Sequence, residues 1–501
     1  MKLGKLSRLC AIICALVCLM CSATVFGAYL NRRKFGMIVL GLLVFGIFTV
    51  IWLLLKKFEG KLTKKRVRII FAIFCGILLV EQIFLVRYIN YNYEMVDPKI
   101  TGEFAKSFVM GDDLSKVKES YRIYAAKYPN AWGMIYLQIP FYAVWKLFTG
   151  GVSIYAGETL NIILIQLSAI LTFLTGEKIF ASHSQQLFCG IITTTLPVML
   201  LYTPFFHSDT AGMIFVSCAL YFLTLAVKAK SLRKCIIFGL IASLFIAVGN
   251  TVKGSIALML VAAVIFFILK IGVKRGLILS LTAVMLFIGV SKCAYYGGIA
   301  MGISNKEMID RYRFPVTHWI MMSLNEKDKT HVDEDVDFTM SFKTYDEKKQ
   351  ANIREIKARL GKINTPQKLC KKVYHKIAIT WSGGGFSYRK YISRSEPTGQ
   401  LCAILKSWQL RFFVDGSHSA MLIGMALGAL YAAGKHRRPT FFLCLVTLAG
   451  VIMFFLIWEN PPRYIVTFIP VIMILCSTGN RYFCQLCKLI TKRKRKLCQE
   501  L

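Results

Sequence analysis

Residues 37–55 read MIVLGLLVFGIFTVIWLLL, residues 56–68 read KKFEGKLTKKRVR, and residues 69–86 read IIFAIFCGILLVEQIFLV. Two apolar runs, each close to the ~20 residues a helix needs to cross about 30 Å of hydrocarbon, flank a loop with seven basic residues and one acid. That pattern predicts a helical hairpin crossing a membrane twice, with its connection held on the cytoplasmic side by positive charge. The whole chain agrees. Of 501 residues, 56% are hydrophobic, and the mean hydropathy is +0.55, which excludes a soluble surface.

Working outward from this hairpin, apolar runs of 16 or more residues fall near 9–28, 37–55, 69–86, 132–148, 159–176, 187–203, 210–227, 235–250, 254–271, 276–292, 419–434, 440–457 and 463–479. They are continuous rather than alternating, so a β-barrel is excluded and each segment can satisfy its own backbone as a helix. The fold class is all-α and polytopic. The first run follows Lys2, Lys5 and Arg8 but meets the bulky Tyr29 and Leu30 where a cleavage site would stand, so it reads as a retained helix.

The formal charge of +37, from 63 Lys and Arg against 26 Asp and Glu, supplies the orientation. The loop 56–68, the clusters Lys228–Lys234, Lys274–Arg275 and Lys435–Arg438, and the 492–496 run belong in the cytoplasm, beside anionic headgroups. Counting crossings then places 87–131, Asp209, Lys253, the loop 293–418 and 458–463 outside. Parity fails by one between 87–131 and Asp209. One of the runs 132–148, 159–176 and 187–203 does not span, and 132–148, which is interrupted by Pro140, is the leading candidate for a re-entrant or interfacial segment. Twelve crossings remain, in a plasma-membrane protein with both termini cytoplasmic.

The chain divides into an N-terminal hairpin with its basic loop (1–68), a membrane core with a first external loop at 87–131 (69–292), a large extracytoplasmic region (293–418), C-terminal membrane helices (419–480) and a basic tail (481–501). Nineteen of the 26 carboxylates lie in 87–131 and 293–418, although soluble loops carry charge whatever their task. Within the large region, helices are expected at 346–361 and 366–379, before a turn at Gly383-Gly384-Gly385. The 16 cysteines show no disulfide framework. Cys484 and Cys487 form a lone C-x-x-C that reads as tail rather than metal site. Phosphate-binding Gly-rich loops and H-E-x-x-H are both missing, which sets aside nucleotide-powered transport and the common membrane metalloproteases. Nothing points to nucleic acid as a partner.

Four features gather on the outward side. They are Asn92-Tyr93-Glu94-Met95-Val96-Asp97-Pro98, Tyr202-Thr203-Pro204-Phe205-Phe206-His207-Ser208-Asp209, Gly249-Asn250-Thr251-Val252-Lys253-Gly254-Ser255, and Trp458-Glu459-Asn460-Pro461-Pro462-Arg463-Tyr464. In order and spacing the chain resembles the GT-C superfamily of integral-membrane glycosyltransferases, in particular bacterial members like family 39 and the protein mannosyltransferases. The resemblance rests on Asp97 early in the first external loop, Asp209 about a hundred residues on, and Glu459 with Arg463 and Tyr464 opening a late helix. Residues 314–325 (FPVTHWIMMSLN) also look like a segment shared by a branch of these enzymes. In place of the Asp-Glu pair of the eukaryotic members stands Asp97-Pro98, with Glu94 and Glu103 the nearest carboxylates, so the acceptor stays open.

The resemblance implies transfer of a sugar, with mannose a candidate, from a polyprenyl-phosphate donor to a cell-envelope glycan, lipid or protein on the outer face. An attacking hydroxyl must shed its proton, and Asp97 is the expected base, with Asp209 a second carboxylate that positions the acceptor or supports a metal. Lys253 and Arg463 are the expected phosphate partners, since a cation among apolar segments is costly without a task and a guanidinium fork suits phosphate. Glu459 is expected to orient Arg463 from four residues away, and Tyr464 to contact substrate. A divalent metal is left open, with no ligand cluster assigned. The competing readings are a flippase or transporter of lipid-linked oligosaccharide, and a polysaccharide polymerase or ligase.

Overall fold

The apolar runs lie in helix, one of them broken, in the computed structural model, which describes residues 2–89, 97–325, 327, 330–393 and 399–500, and no strand occurs among them. The segment 92–96, Glu94 included, and the side chains of the 493–496 basic run lie outside the described residues. Most short basic connections, 56–63 and 435–438 among them, gather at one end of the bundle, the basic end, and the long connections gather at the other, the loop end, where Arg32-Arg33-Lys34 also joins the first two helices.

From the basic end, α1 (Lys2–Asn31) rises to the loop end, α2 (Phe35–Lys57) returns and α3 (Lys64–Tyr88) rises again. At the loop end follow α4 (Asp97–Met110), α5 (Glu119–Lys127) and α6 (Trp132–Thr149). Then α7 (Ile154–Ile179) descends, α8 (His183–Thr194) and α9 (Pro197–Leu201) climb in tandem, and α10 (Ser208–Lys228) and α11 (Leu232–Val252) form the next pair. The pair α12 (Ala257–Phe266) and α13 (Val273–Ala300) comes next, with a π-helical turn, Phe267–Ile271, at the foot of α12. The large loop-end region holds α14 (Lys306–Tyr312), α15 (Val316–Ser323), α16 (Asp333–Met340), α17 (Tyr345–Lys362), α18 (Pro366–Trp381), α19 (Tyr388–Ile392) and α20 (Gly399–Lys406). The last crossings are α21 (Trp408–Gly434), α22 (Pro439–Ile457) and α23 (Ile469–Glu500), the last entered through a 3-10 turn, Pro462–Phe468.

Eleven helices among the described residues are long and apolar enough to span a membrane, and the chain is a multi-pass membrane protein. The twelfth traverse is the broken one. Within 187–203, Pro197 bars its predecessor from helical backbone, and Leu196 is extended (φ −69°, ψ 124°) between α8 and α9. The pair still travels end to end: the backbone N–H groups of His183 and Ser184 donate to Glu59 at the basic end, and Asn161 Nδ2 donates to the Thr203 carbonyl at the loop end. The run 132–148 is the one that does not traverse. At the start of α6, Gly133 packs against the backbone of Thr251, and near its close Lys146 Nζ donates to the Val109 carbonyl, so both ends lie at the loop end.

Packing sorts the helices by depth. A Cβ on Gly428 would meet the Leu475 carbonyl at 2.0 Å, so α21 and α23 touch backbone to backbone, as small residues permit in membrane bundles. By contrast α2, α3 and α13 turn Leu42, Ile47, Val80, Leu281 and Met285 outward, a surface suited to acyl chains. Glu81 shares the outward face of α3. Buried amides tie the helices together, including Gln166 Nε2 to Gln82 Oε1 (2.8 Å) and Trp52 Nε1 to Gln185 Oε1 (2.8 Å). The region expected to be helical at 346–361 and 366–379 forms α17 and α18, and a capping box of Thr344 and Glu347 starts the former.

Candidate functional site

Four helix ends meet at the loop end, and each brings one charged side chain. Asp97 is the first residue of α4, where its charge faces the positive end of the helix. Asp209 stands in the first turn of α10, behind an extended approach at His207. Lys253 is the extended residue that closes α11, ahead of the 3-10 turn Gly254–Ile256 and α12. Arg463 and Tyr464 open the 3-10 turn that Pro461 and Pro462 force after α22.

All six residues expected from the sequence come together. Lys253 Nζ lies 2.6 Å from Asp209 Oδ1 and 3.7 Å from the centre of the Tyr464 ring. Arg463 reaches both carboxylates, with Nη2 3.6 Å from Asp97 Oδ2 and Nε 3.7 Å from Asp209 Oδ2. Asp209 is fully enclosed, whereas 41% of the Asp97 side chain is exposed. Asp97 therefore faces the mouth and Asp209 the floor. Glu459 accepts a hydrogen bond from the Tyr464 hydroxyl, not from Arg463. The expected four-residue spacing needs a helix, and residues 458–461 are non-helical before Pro462.

Two participants were not expected. His207 sits between the two carboxylates, with Nε2 3.7 Å from Asp97 Oδ2, Nδ1 3.3 Å from Asp209 Oδ2, and Nε2 against Arg463 Nη1. Arg463 Nη1 also donates to the Tyr391 hydroxyl at 3.0 Å. His207 was visible two positions before Asp209, whereas Tyr391 comes from the five-residue α19, which carries no motif.

Enclosure raises the Asp97 carboxyl, but the Arg463 guanidinium, followed by His207, outweighs it and holds the group at about 2. Burial, reinforced by Arg463, draws His207 down to about 3, so its imidazole is neutral at pH 7. Burial pushes Glu459 above the usual carboxylate range, against the Tyr464 hydrogen bond. The cluster thus pairs two carboxylates with two cations around a neutral ring. Among the described residues no three His, Cys, Asp or Glu side chains stand as a metal-binding group, and the donors of Asp209 already face Lys253 and Arg463.

Above the cluster, Lys376 of α18 donates to the carbonyls of Ser323 (3.1 Å) and Trp458 (2.9 Å), and Asn460 Nδ2 donates to Thr380 Oγ1 (2.8 Å). The large loop-end region therefore fixes the connection that carries Glu459 and Arg463.

Residues 141–296 match the family model described as dolichyl-phosphate-mannose-protein mannosyltransferase. No curated protein matches in sequence. Two solved structures are similar at low identity. ArnT from Cupriavidus metallidurans, bound to undecaprenyl phosphate, aligns with 81% of this chain and 77% of its own, at 13% identity and a TM-score of 0.38. The archaeal oligosaccharyltransferase AglB from Archaeoglobus fulgidus, in complex with an inhibitory peptide and a dolichol-phosphate, aligns with 80% of this chain at 11% identity and a TM-score of 0.37. This chain spans half of AglB's length.

Proposed function

We propose that this chain, whose residues 141–296 match a membrane mannosyltransferase family model, is a glycosyltransferase of the GT-C kind that moves a sugar from a polyprenyl-phosphate donor to a cell-envelope acceptor, on the extracytoplasmic side of the plasma membrane. The observation that carries this reading is the pairing of a partly open Asp97 with Arg463 at the mouth of a cluster otherwise closed by Lys253 and Asp209. The description of the matched family, which names a dolichyl-phosphate-linked mannose, supports the donor class and mannose as its sugar.

The acceptor hydroxyl attacks the anomeric carbon, its proton passes to Asp97, and the bond from that carbon to the phosphate oxygen breaks with its electron pair leaving on the polyprenyl phosphate. Arg463 and Lys253 receive that charge, and aligned cations in a poorly hydrated site are worth several kcal/mol. With Arg463 beside it, Asp97 is a weak base. A bound phosphate shares the guanidinium and so raises the basicity of Asp97 when the donor is in place. Asp209, behind the two cations, holds them in position, and His207 spaces the two carboxylates. Asp97→Asn in correctly inserted protein should lower transfer from a polyprenyl-phosphate sugar by about a hundredfold or more. Full activity in that variant would remove Asp97 as the base.

A further inference from the structure

Five aromatic rings form an unbroken line from the lipid-facing side of α22 to Asp97. Phe454 and Trp458 lie 5.1 Å apart at 25°, Trp458 and Trp319 6.3 Å apart at 31°, and Trp319 and Tyr128 5.9 Å apart at 33°. Tyr128 meets Tyr124 at 4.7 Å, and the Tyr124 hydroxyl hydrogen-bonds Asp97. All five rings are half-buried. The line begins beside Met453 and Ile457, which are 50% and 60% exposed on α22.

The central ring is held from behind. Phe314 is buried and packs 4.2 Å from His318, whose Nδ1 lies 2.7 Å from Thr339 Oγ1. Lys376 bonds the carbonyls of both Ser323, on the helix of Trp319, and Trp458, so the two indoles keep their spacing. A belt of interfacial aromatics would spread its rings outward around the bundle. This line instead runs through Tyr128 and Tyr124 to Asp97.

We infer that Trp319, between Tyr128 and Trp458, is the floor of the donor's sugar subsite. A hexose offers a face of C–H groups that stacks on an aromatic ring and an edge of hydroxyls that hydrogen-bonds. Here the edge would meet the tyrosine hydroxyls, and the anomeric carbon, with the phosphate and polyprenyl tail that it carries, would lie at the end of the line where Arg463 meets Asp97. This subsite rests on the transferase reading above.

The test is a binding titration of the full chain in nanodiscs with undecaprenyl phosphate and with undecaprenyl-phosphate-linked mannose, glucose, galactose and N-acetylhexosamines. Wild-type protein should bind at least one sugar-linked carrier more tightly than the bare phosphate. Trp319→Ala should erase that preference, a loss of roughly fivefold to tenfold, while leaving the bare phosphate unchanged; Trp319→Phe should keep most of it. Unchanged bare-carrier binding also reports an intact fold. Equal weakening of every carrier in Trp319→Ala, no change at all, or a wild type that binds the bare phosphate without preference for any sugar would each overturn the subsite alone. If no carrier binds wild-type protein, the transferase reading falls and takes the subsite with it.

Discussion

Lys253 and Asp209 form a buried ion pair, 2.6 Å between Nζ and Oδ1, joining the end of α11 to the start of α10. Removing one partner strands the other charge away from water, which costs about 3–5 kcal/mol, whereas removing both costs less. Asp209→Asn should therefore lower the thermal unfolding midpoint in detergent more than the double variant Asp209→Asn/Lys253→Met. A double variant no more stable than the single one would mean that the pair is not what holds these helix ends.

The Arg463–Asp97 pair sets an acid limit. With Asp97 at about 2, its ionisation leaves kcat/KM flat between pH 4 and 7. Arg463→Gln removes the principal depressing charge, so the acid limb should move up to the ordinary carboxylate range, about 4, or beyond it. Profiles of the two proteins with coincident acid limbs would contradict the pairing.

His207 should make stability depend on pH. Its folded value of about 3 lies below an ordinary histidine's, so the unfolded chain binds the extra proton between those values. The contribution is present above about 6.5 and is lost progressively as pH falls toward 3. Melting midpoints of wild type and His207→Gln between pH 4 and 8 should converge toward low pH. Parallel curves would show that the imidazole is not held neutral.

Sidedness is checked by reporters. A fusion after residue 330, in the large loop-end region, should read extracytoplasmic, and one after Lys230, among the basic connections, cytoplasmic. The reverse pattern would place the Asp97 cluster on the wrong side for an external acceptor.

The bundle was legible in the sequence because lipid imposes a length and a polarity on every segment; Lys253 stood out because charge among apolar runs is costly, whereas Asp97, Asp209 and Arg463 stood out through the order and spacing that the chain shares with the family it resembles. What stayed hidden depended on backbone detail. The run 187–203 has span length, yet Pro197 breaks it without stopping the traverse. Glu459 and Arg463 have helical spacing, but the two intervening prolines give Glu459 to the Tyr464 hydroxyl instead. Tyr391 lies 72 positions from Arg463, and only tertiary folding brings it there.

The helix α6, which begins and ends at the loop end, acts as a parity bit for everything after it. If Pro140 and Lys146 were replaced by leucines and α6 were drawn fully through the bilayer, each later segment would insert upside down. Asp209 would then be separated from Asp97 by about 30 Å of hydrocarbon, and no local repair could reunite them. The one apolar stretch that declines to cross thus sets the address of the whole C-terminal half.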